Sequence, residues 1–227
     1  MGRKLFSFVG TLVFLTTTFT VGTGEVIDRI VATVNGHIIL LSDWEDSLRY
    51  EAFSSGRPLD RMTADDHKSA LDHLIDQELL REQLKDSDIQ HASPEEVVQR
   101  VTQIRKQYAE AETELGWRTL LDSYRLSEEN LKSRAAAELD LMRLVDARLR
   151  PSVTVDSKSI ESYYNQELLP QLRQSGGQNV PLAEVTAKIK ELLTQKKISQ
   201  LLTAWLQDLR AGSEIRAEGR TAGGRSQ

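Results

Sequence analysis

The 227-residue sequence contains no cysteine. Thiol catalysis, thiol–disulfide exchange and cysteine-based zinc sites are therefore excluded, and the fold has no disulfide to stabilise it. Aromatic residues make up 6% of the chain, and there are only five prolines and thirteen glycines. Most of the glycines fall in the N-terminal segment, in turns and in the C-terminal tail, a distribution that favours helices between them.

Motifs for catalysis, metal binding or cofactor binding are also missing from the sequence. The two closest of the four histidines, His67 and His73, are six residues apart, which places them on different faces of a helix. Residues 54–56 lack the frame of a nucleophile elbow, and Gly176-Gly177 lacks the lysine and hydroxyl of a phosphate loop. We therefore predict no catalytic residue, no metal site and no cofactor, and expect that the protein is not an enzyme.

The chain begins with a segment typical of exported proteins. Arg3 and Lys4 precede an uncharged, largely apolar stretch that ends in the small residues Gly22-Thr23-Gly24. This pattern predicts a signal peptide over residues 1–24, cleaved after Gly24 or after Gly22, and hence a periplasmic protein. An uncleaved leader that tethers the protein to the membrane is the alternative. The formal net charge of −5 argues against a nucleic-acid partner.

Residues 30–41 predict a β-hairpin. Two short apolar runs are joined by Asn35-Gly36, the residue pair preferred in a type I′ turn because both turn positions need a positive φ. The second run leads into Ser42-Asp43-Trp44-Glu45, which predicts a capping box at the start of a helix. A hairpin alone is marginally stable in water, so a further strand is expected to pair with it.

The rest of the chain is predicted to be helical. The predicted helices cover residues 43–54, 63–84, 93–108, 116–124, 127–149, 156–169 and 181–210. Pro170 and Ser175-Gly176-Gly177 are expected to interrupt the chain after the sixth. Gly212 ends the last helix, and the short alternating stretch 213–217 predicts the missing third strand. The predicted fold is mainly α with a small antiparallel sheet, in which the N-terminal hairpin pairs with the C-terminal strand, and residues 218–227 form a disordered tail.

Four stretches of the chain together carry a resemblance to a known family. In order, they are "EVIDRIVATVNGHIILLSDWEDSLR" (25–49), "ALDHLIDQELLREQLKDSDI" (70–89), "LKSRAAAELDLMRLVDARLRPSVTVDSKSIESYYNQ" (131–166) and "VPLAEVTAKIKELLTQKKISQLLTAWLQDLRAGSEIR" (180–216). They resemble the SurA family of periplasmic chaperones. Many relatives carry a parvulin-type prolyl isomerase domain before the closing helix, but here only a short connection separates Tyr164 from Pro181. The resemblance implies a chaperone core over residues 25–217, closed by the segment 181–217, without the isomerase.

The resemblance implies an ATP-independent periplasmic chaperone that holds unfolded outer-membrane or secreted polypeptides. We expect a cradle of helices between about residues 63 and 148 to bind extended, aromatic-rich segments of these clients. A parvulin-type isomerase relative and a membrane-tethered assembly factor are the alternatives. Four residues are candidates for client contacts, because such a surface needs rigid aromatic or adaptable apolar side chains: Tyr108, Trp117, Tyr124 and Met142. Core packing is the alternative for each aromatic residue. A homodimer formed by swapping of the C-terminal helix also stays open, with Gly176-Gly177 as the hinge.

Overall fold

The structure is a computed structural model that describes residues 28–176, 178 and 180–217. Most of these residues are helical, and a three-stranded antiparallel sheet joins the two ends of the described chain. The predicted fold class is therefore confirmed. The predicted leader 1–24 and the predicted tail 218–227 lie outside the described residues.

The sheet consists of β1 (Ile30–Val34), β2 (His37–Leu40) and β3 (Ile215–Ala217). The strand order is β2-β1-β3, with β1 antiparallel to both neighbours. Val34 lies opposite Ile215, so the C-terminal strand completes the N-terminal hairpin as the sequence predicted. A three-stranded sheet with one face on a helix is stable where an isolated hairpin is not.

The turn between β1 and β2 has the predicted backbone conformation. Asn35 has a φ of 49° and Gly36 a φ of 85°, the positive values that a type I′ turn requires. The Asn35 backbone N–H also donates to the Glu214 carbonyl at 2.9 Å, and its side-chain oxygen accepts from the Glu214 N–H at 2.8 Å. The turn residue therefore also fixes the chain at the start of β3.

Eight α-helices follow the hairpin within the described residues. They are α1 (Leu41–Ser54), α2 (Ala64–Lys85), α3 (Pro94–Arg105), α4 (Glu114–Ser123), α5 (Glu128–Leu149), α6 (Ser157–Tyr163), α7 (Leu169–Gln174) and α8 (Leu182–Gly212). Short 3₁₀ turns at Leu59–Arg61, Ala109–Glu112 and Arg150–Ser152 connect some of them.

Helix caps follow the sequence in most places. Thr63, Ser93 and Ser127 each accept a hydrogen bond from the backbone N–H three residues later, at the starts of α2, α3 and α5. The capping box predicted at Ser42 is wrong. The helix α1 begins two residues earlier than predicted, at Leu41, and the Asp43 carboxylate accepts from the Leu40 N–H at 3.0 Å. The Ser42 hydroxyl instead bonds to Asp28, and this bond lowers the pKa of the Asp28 carboxyl.

The interruption predicted at Pro170 is also wrong, because the chain stays helical to Gln174. The turn Tyr164–Leu168 has the wider π geometry, and the Leu169 N–H bonds to the carbonyl of Tyr164, five residues back. Proline lacks an N–H and clashes with the carbonyl four residues before it in an α-helix. One wider turn accommodates the ring, and the helix continues past it.

Two groups of buried side chains stabilise the fold. The first, the sheet core, packs one face of the sheet on α2: Val31, Ala32, Val34, Ile39, Ile75 and Leu79. The second, the aromatic core, lies between α1, α3, α4 and the N-terminal half of α5: Ala52, Phe53, Val97, Val101, Ile104, Ala111, Trp117, Leu120, Leu121, Tyr124, Leu126, Leu131 and Ala135.

The 31-residue helix α8 spans about 46 Å and connects the parts of the molecule. It packs in turn on α6, on α5 and on α2. Near its end, the Arg210 guanidinium donates to the Asp76 carboxylate at 2.6 Å and to the Asp72 carbonyl at 2.8 Å. The chain then enters β3, so the end of α8 is fixed both on α2 and in the sheet.

Candidate client-binding groove

A groove of about 1020 Å³ lies between α2, α5, α8 and the loop that follows α2. It is open to solvent along its length, and most of the side chains that line it are apolar. They are Leu80, Ile89, Leu139, Leu141, Met142, Val145, Ala147, Ile198 and Leu202. A concave apolar surface of this kind is the usual form of a ligand or peptide site.

The floor of the groove comes from one apolar stripe of α5. Its residues follow a spacing of three and four: Leu131, Ala135, Leu139, Met142, Val145 and Leu149. In the N-terminal half of the helix, Leu131 and Ala135 are buried in the aromatic core. Leu139 is the last residue of the stripe that packs against the aromatic core, and Met142 and Val145 line the groove instead. The apolar spacing that forms the aromatic core therefore continues along α5 beyond that core, and there it forms the floor of the groove.

Ion pairs hold the two ends of the groove. At the side of the loop, Arg143 bonds to the Glu96 carboxylate and donates to the Gln90 carbonyl at 2.7 Å. The pKa of Glu96 is lowered, first by the hydrogen bond from the Ser93 backbone and then by Arg143. The loop 88–90 is thereby fixed against α5.

At the other end, Arg150 joins α5 to α8. Its guanidinium donates to both carboxylate oxygens of Glu191 at 3.1 Å and to Asp146 at 2.6 Å. This geometry raises the pKa of Arg150 and lowers the pKa of Glu191, in each case first through the hydrogen bonds between the two. The neighbouring Arg148 guanidinium lies 4.7 Å from the centroid of the Trp205 ring, a second contact between the same two helices.

Three of the four predicted contact residues lie in the aromatic core rather than in the groove. Trp117 is 1% exposed and Tyr124 is buried, with ring centroids 6.2 Å and 5.5 Å from that of Phe53. The ring of Tyr108 stacks on Phe53 at 5.0 Å, and its hydroxyl donates to the Phe53 carbonyl. The burial of Trp117 and Tyr124, and the partial burial of Tyr108 against the same cluster, favour core packing, the alternative that the sequence left open. Client contact by these three residues stays a prediction.

Met142 is the predicted residue that the structure places in the groove. Its side chain is 61% exposed, although the spacing on α5 puts it on the same stripe as buried residues. Its role in client contact stays a prediction. The sequence reasoning missed Ile89, Ile198 and Leu202, which line the same groove. Ile198 and Leu202 lie on the predicted apolar side of α8, but only the packing of α8 on α5 brings them opposite Met142.

Two further findings concern the described residues alone. No group of three histidine, cysteine or acidic side chains among residues 28–176 and 180–217 is arranged to hold a metal ion. Within the same residues, no helix has the length and hydropathy needed to cross a membrane.

The described part of the chain is a helical body whose two ends meet in a small sheet, with an open apolar groove between α5 and α8. The family model of the SurA-like N-terminal domain matches residues 3–145, and the chain belongs to this family. The membership makes the protein one of a chaperone-type family. No parvulin domain is detected in the chain. A comparison with curated proteins gives no match.

Proposed function

We propose that this protein is an ATP-independent periplasmic chaperone that holds unfolded outer-membrane or secreted polypeptides, and that the groove between α5 and α8 binds the client segment. One observation carries the proposal. Met142 is 61% exposed on the floor of an open apolar groove, in a chain of the SurA-like family. A contiguous exposed apolar surface, such as the lining of this groove, marks an interaction site on a protein.

The side chains of the groove suit clients of varied sequence. Methionine is unbranched and polarizable, and leucine and isoleucine add apolar area without a directional requirement. Binding surfaces of this kind repack around different partners, which is the property that a holding chaperone needs. The walls are already positioned in the free protein, where Arg210 and β3 fix the end of α8, so little order has to be gained when a client binds.

The dimensions of the groove set the size of the bound segment. From Leu139 to Arg150, α5 rises by about 17 Å. An extended chain covers the same length with about five residues. A contact of five residues gives weak binding, in the micromolar range, and such a contact releases its client without an energy source. The periplasmic location rests on the signal-like pattern of residues 1–24.

Substitution of Met142 tests the proposal. An outer-membrane polypeptide unfolded in urea is diluted into buffer with the mature protein, and aggregation is followed by light scattering. We expect suppression by the unchanged protein and a loss of about 5- to 20-fold in apparent affinity for M142S. The reason is that the client no longer buries the 61% exposed part of a side chain that is worth about 1.5–3 kcal/mol in full burial.

The matched control is L115S. Leu115 is 77% exposed on α4, outside the groove. L115S therefore removes an exposed apolar side chain, as M142S does, but it leaves the groove unchanged. We expect L115S to suppress aggregation as well as the unchanged protein does. Circular dichroism and urea unfolding verify that both variants stay folded. Equal activity of M142S and L115S, or no suppression by the unchanged protein at stoichiometric excess, contradicts the proposal.

A further inference from the structure

The groove has a surplus of negative charge along its lining. Four carboxylates and two guanidinium groups line it: those of Asp88, Glu96, Glu138 and Asp146, and those of Arg143 and Arg150. The negative charge at the edges of the apolar floor attracts cationic side chains, and repels anionic side chains, that flank an apolar client segment.

Both guanidinium groups already have carboxylate partners. Arg143 pairs with Glu96, and Arg150 pairs with Asp146 and with Glu191 across the groove. No ion pair or side-chain hydrogen bond involves Asp88 within the described part of the chain, and its side chain is exposed. The lining therefore offers a client a free carboxylate but no free guanidinium.

We propose that the groove prefers client segments in which a short apolar stretch is flanked by lysine or arginine. This preference rests on the proposed function and adds the chemical class of the client to it. The apolar side chains of the segment cover Met142, Val145 and Leu202, and a cationic side chain at one end of the segment reaches Asp88. A segment flanked by glutamate meets carboxylates at both ends and no unpaired cation.

The size of the preference follows from the solvent exposure of the charged side chains at the edges of the groove. An exposed ion pair contributes 0.2–1 kcal/mol, so each favourable charge increases affinity roughly two- to five-fold and each unfavourable charge decreases it by a similar factor. Because these charges are solvated, added salt screens them, and the preference is lost when the Debye length falls to about 3 Å at 1 M ionic strength.

Three labelled peptides with blocked termini test the preference by fluorescence anisotropy. Each has the same five apolar residues, flanked by two lysines, two serines or two glutamates at either end. At low salt we expect the lysine peptide to bind the mature protein most tightly and the glutamate peptide most weakly. At 1 M salt we expect the three affinities to converge. Equal affinities at low salt overturn the preference but leave the proposed function standing, whereas no binding of any peptide removes both.

A pair of variants locates the effect. D88N removes the free carboxylate at the groove, and D122N makes the same charge change at an exposed position of α4 outside it. We expect D88N to weaken the lysine peptide roughly two- to five-fold while the serine peptide binds as before. We expect D122N to leave both peptides unchanged. Equal effects of D88N and D122N overturn the inference, because the preference then reflects only the net charge of the protein.

Discussion

Replacement of Trp117 by alanine separates a core role from a client-binding role. The Trp117 side chain is 1% exposed, lies against Phe53 and Tyr124, and carries the Arg105 guanidinium 5.7 Å from its ring centroid. A buried tryptophan replaced by alanine costs about 3–5 kcal/mol of unfolding free energy, from lost transfer energy and from the cavity left behind. For a domain with a stability of about 5–15 kcal/mol, this cost is between a fifth and the whole of the total.

The assay is urea unfolding followed by circular dichroism at 222 nm. In thermal unfolding, W117A should also lower the midpoint by roughly 6 to 20 °C, given 2–4 °C per kcal/mol for a chain of this size. The control is L115A, two residues earlier on α4 and 77% exposed, which should change stability by no more than about 0.5 kcal/mol. A W117A protein within about 1 kcal/mol of the unchanged protein refutes the assignment of Trp117 to the core and reopens its role as a client contact.

Three further predictions concern other parts of the fold. G36A should lose about 1 kcal/mol of unfolding free energy in urea, because Gly36 has a φ of +85°, which an alanine adopts only with backbone strain. An added Cβ has no neighbouring atom within 4 Å, so no steric clash adds to this cost. E78L should be more stable by about 1–2 kcal/mol, because the Glu78 carboxylate is 2% exposed and one of its oxygens has no partner among the described residues. Its two partners, Arg81 and His37, are each about half exposed, so water solvates them when the carboxylate is removed. A loss of stability above about 1 kcal/mol contradicts this prediction. The pKa of the Asp66 carboxyl is lowered first by the Arg57 guanidinium and then by Thr63. The ionised carboxylate therefore stabilises the fold fully above the pKa of an unfolded aspartate, about 3.9, and this stabilisation is lost as the pH falls below that value. D66N should therefore show a smaller loss of urea midpoint than the unchanged protein between pH 5 and pH 2.

The features that the sequence predicts correctly depend on local chemistry. The Asn35-Gly36 turn, the Ser93 and Ser127 caps and the strand after Gly212 each follow from a few neighbouring residues. Ser42 shows where local chemistry is ambiguous. Its hydroxyl has a competing acceptor in Asp28, fourteen residues earlier, which a local motif does not include.

The candidate site is less predictable because accessibility is set by what packs on a side chain and not by its type. Met142 and Leu131 belong to the same stripe of α5, yet Leu131 is buried and Met142 is 61% exposed. The difference comes from the buried side chains of α3 and α4, which pack on Leu131 and Ala135 in the first half of α5. In the same way, Trp117 fits a client surface by composition, and only the position of Phe53 shows that it is a core residue.

The helix α8 makes the groove depend on the sheet. Its middle supplies Ile198 and Leu202 as one wall, and its end is held by Arg210 on α2 and by β3 beside β1. If α8 were fixed to α5 only through the contacts of Arg150 and Trp205, its position would depend on exposed contacts, which contribute little to stability. The buried sheet core beneath β1 is a stronger anchor, because Val31, Val34 and Ile39 are removed from water. The meeting of the N-terminal hairpin and the C-terminal strand therefore anchors the helix that forms one wall of the groove, although neither strand lines the groove.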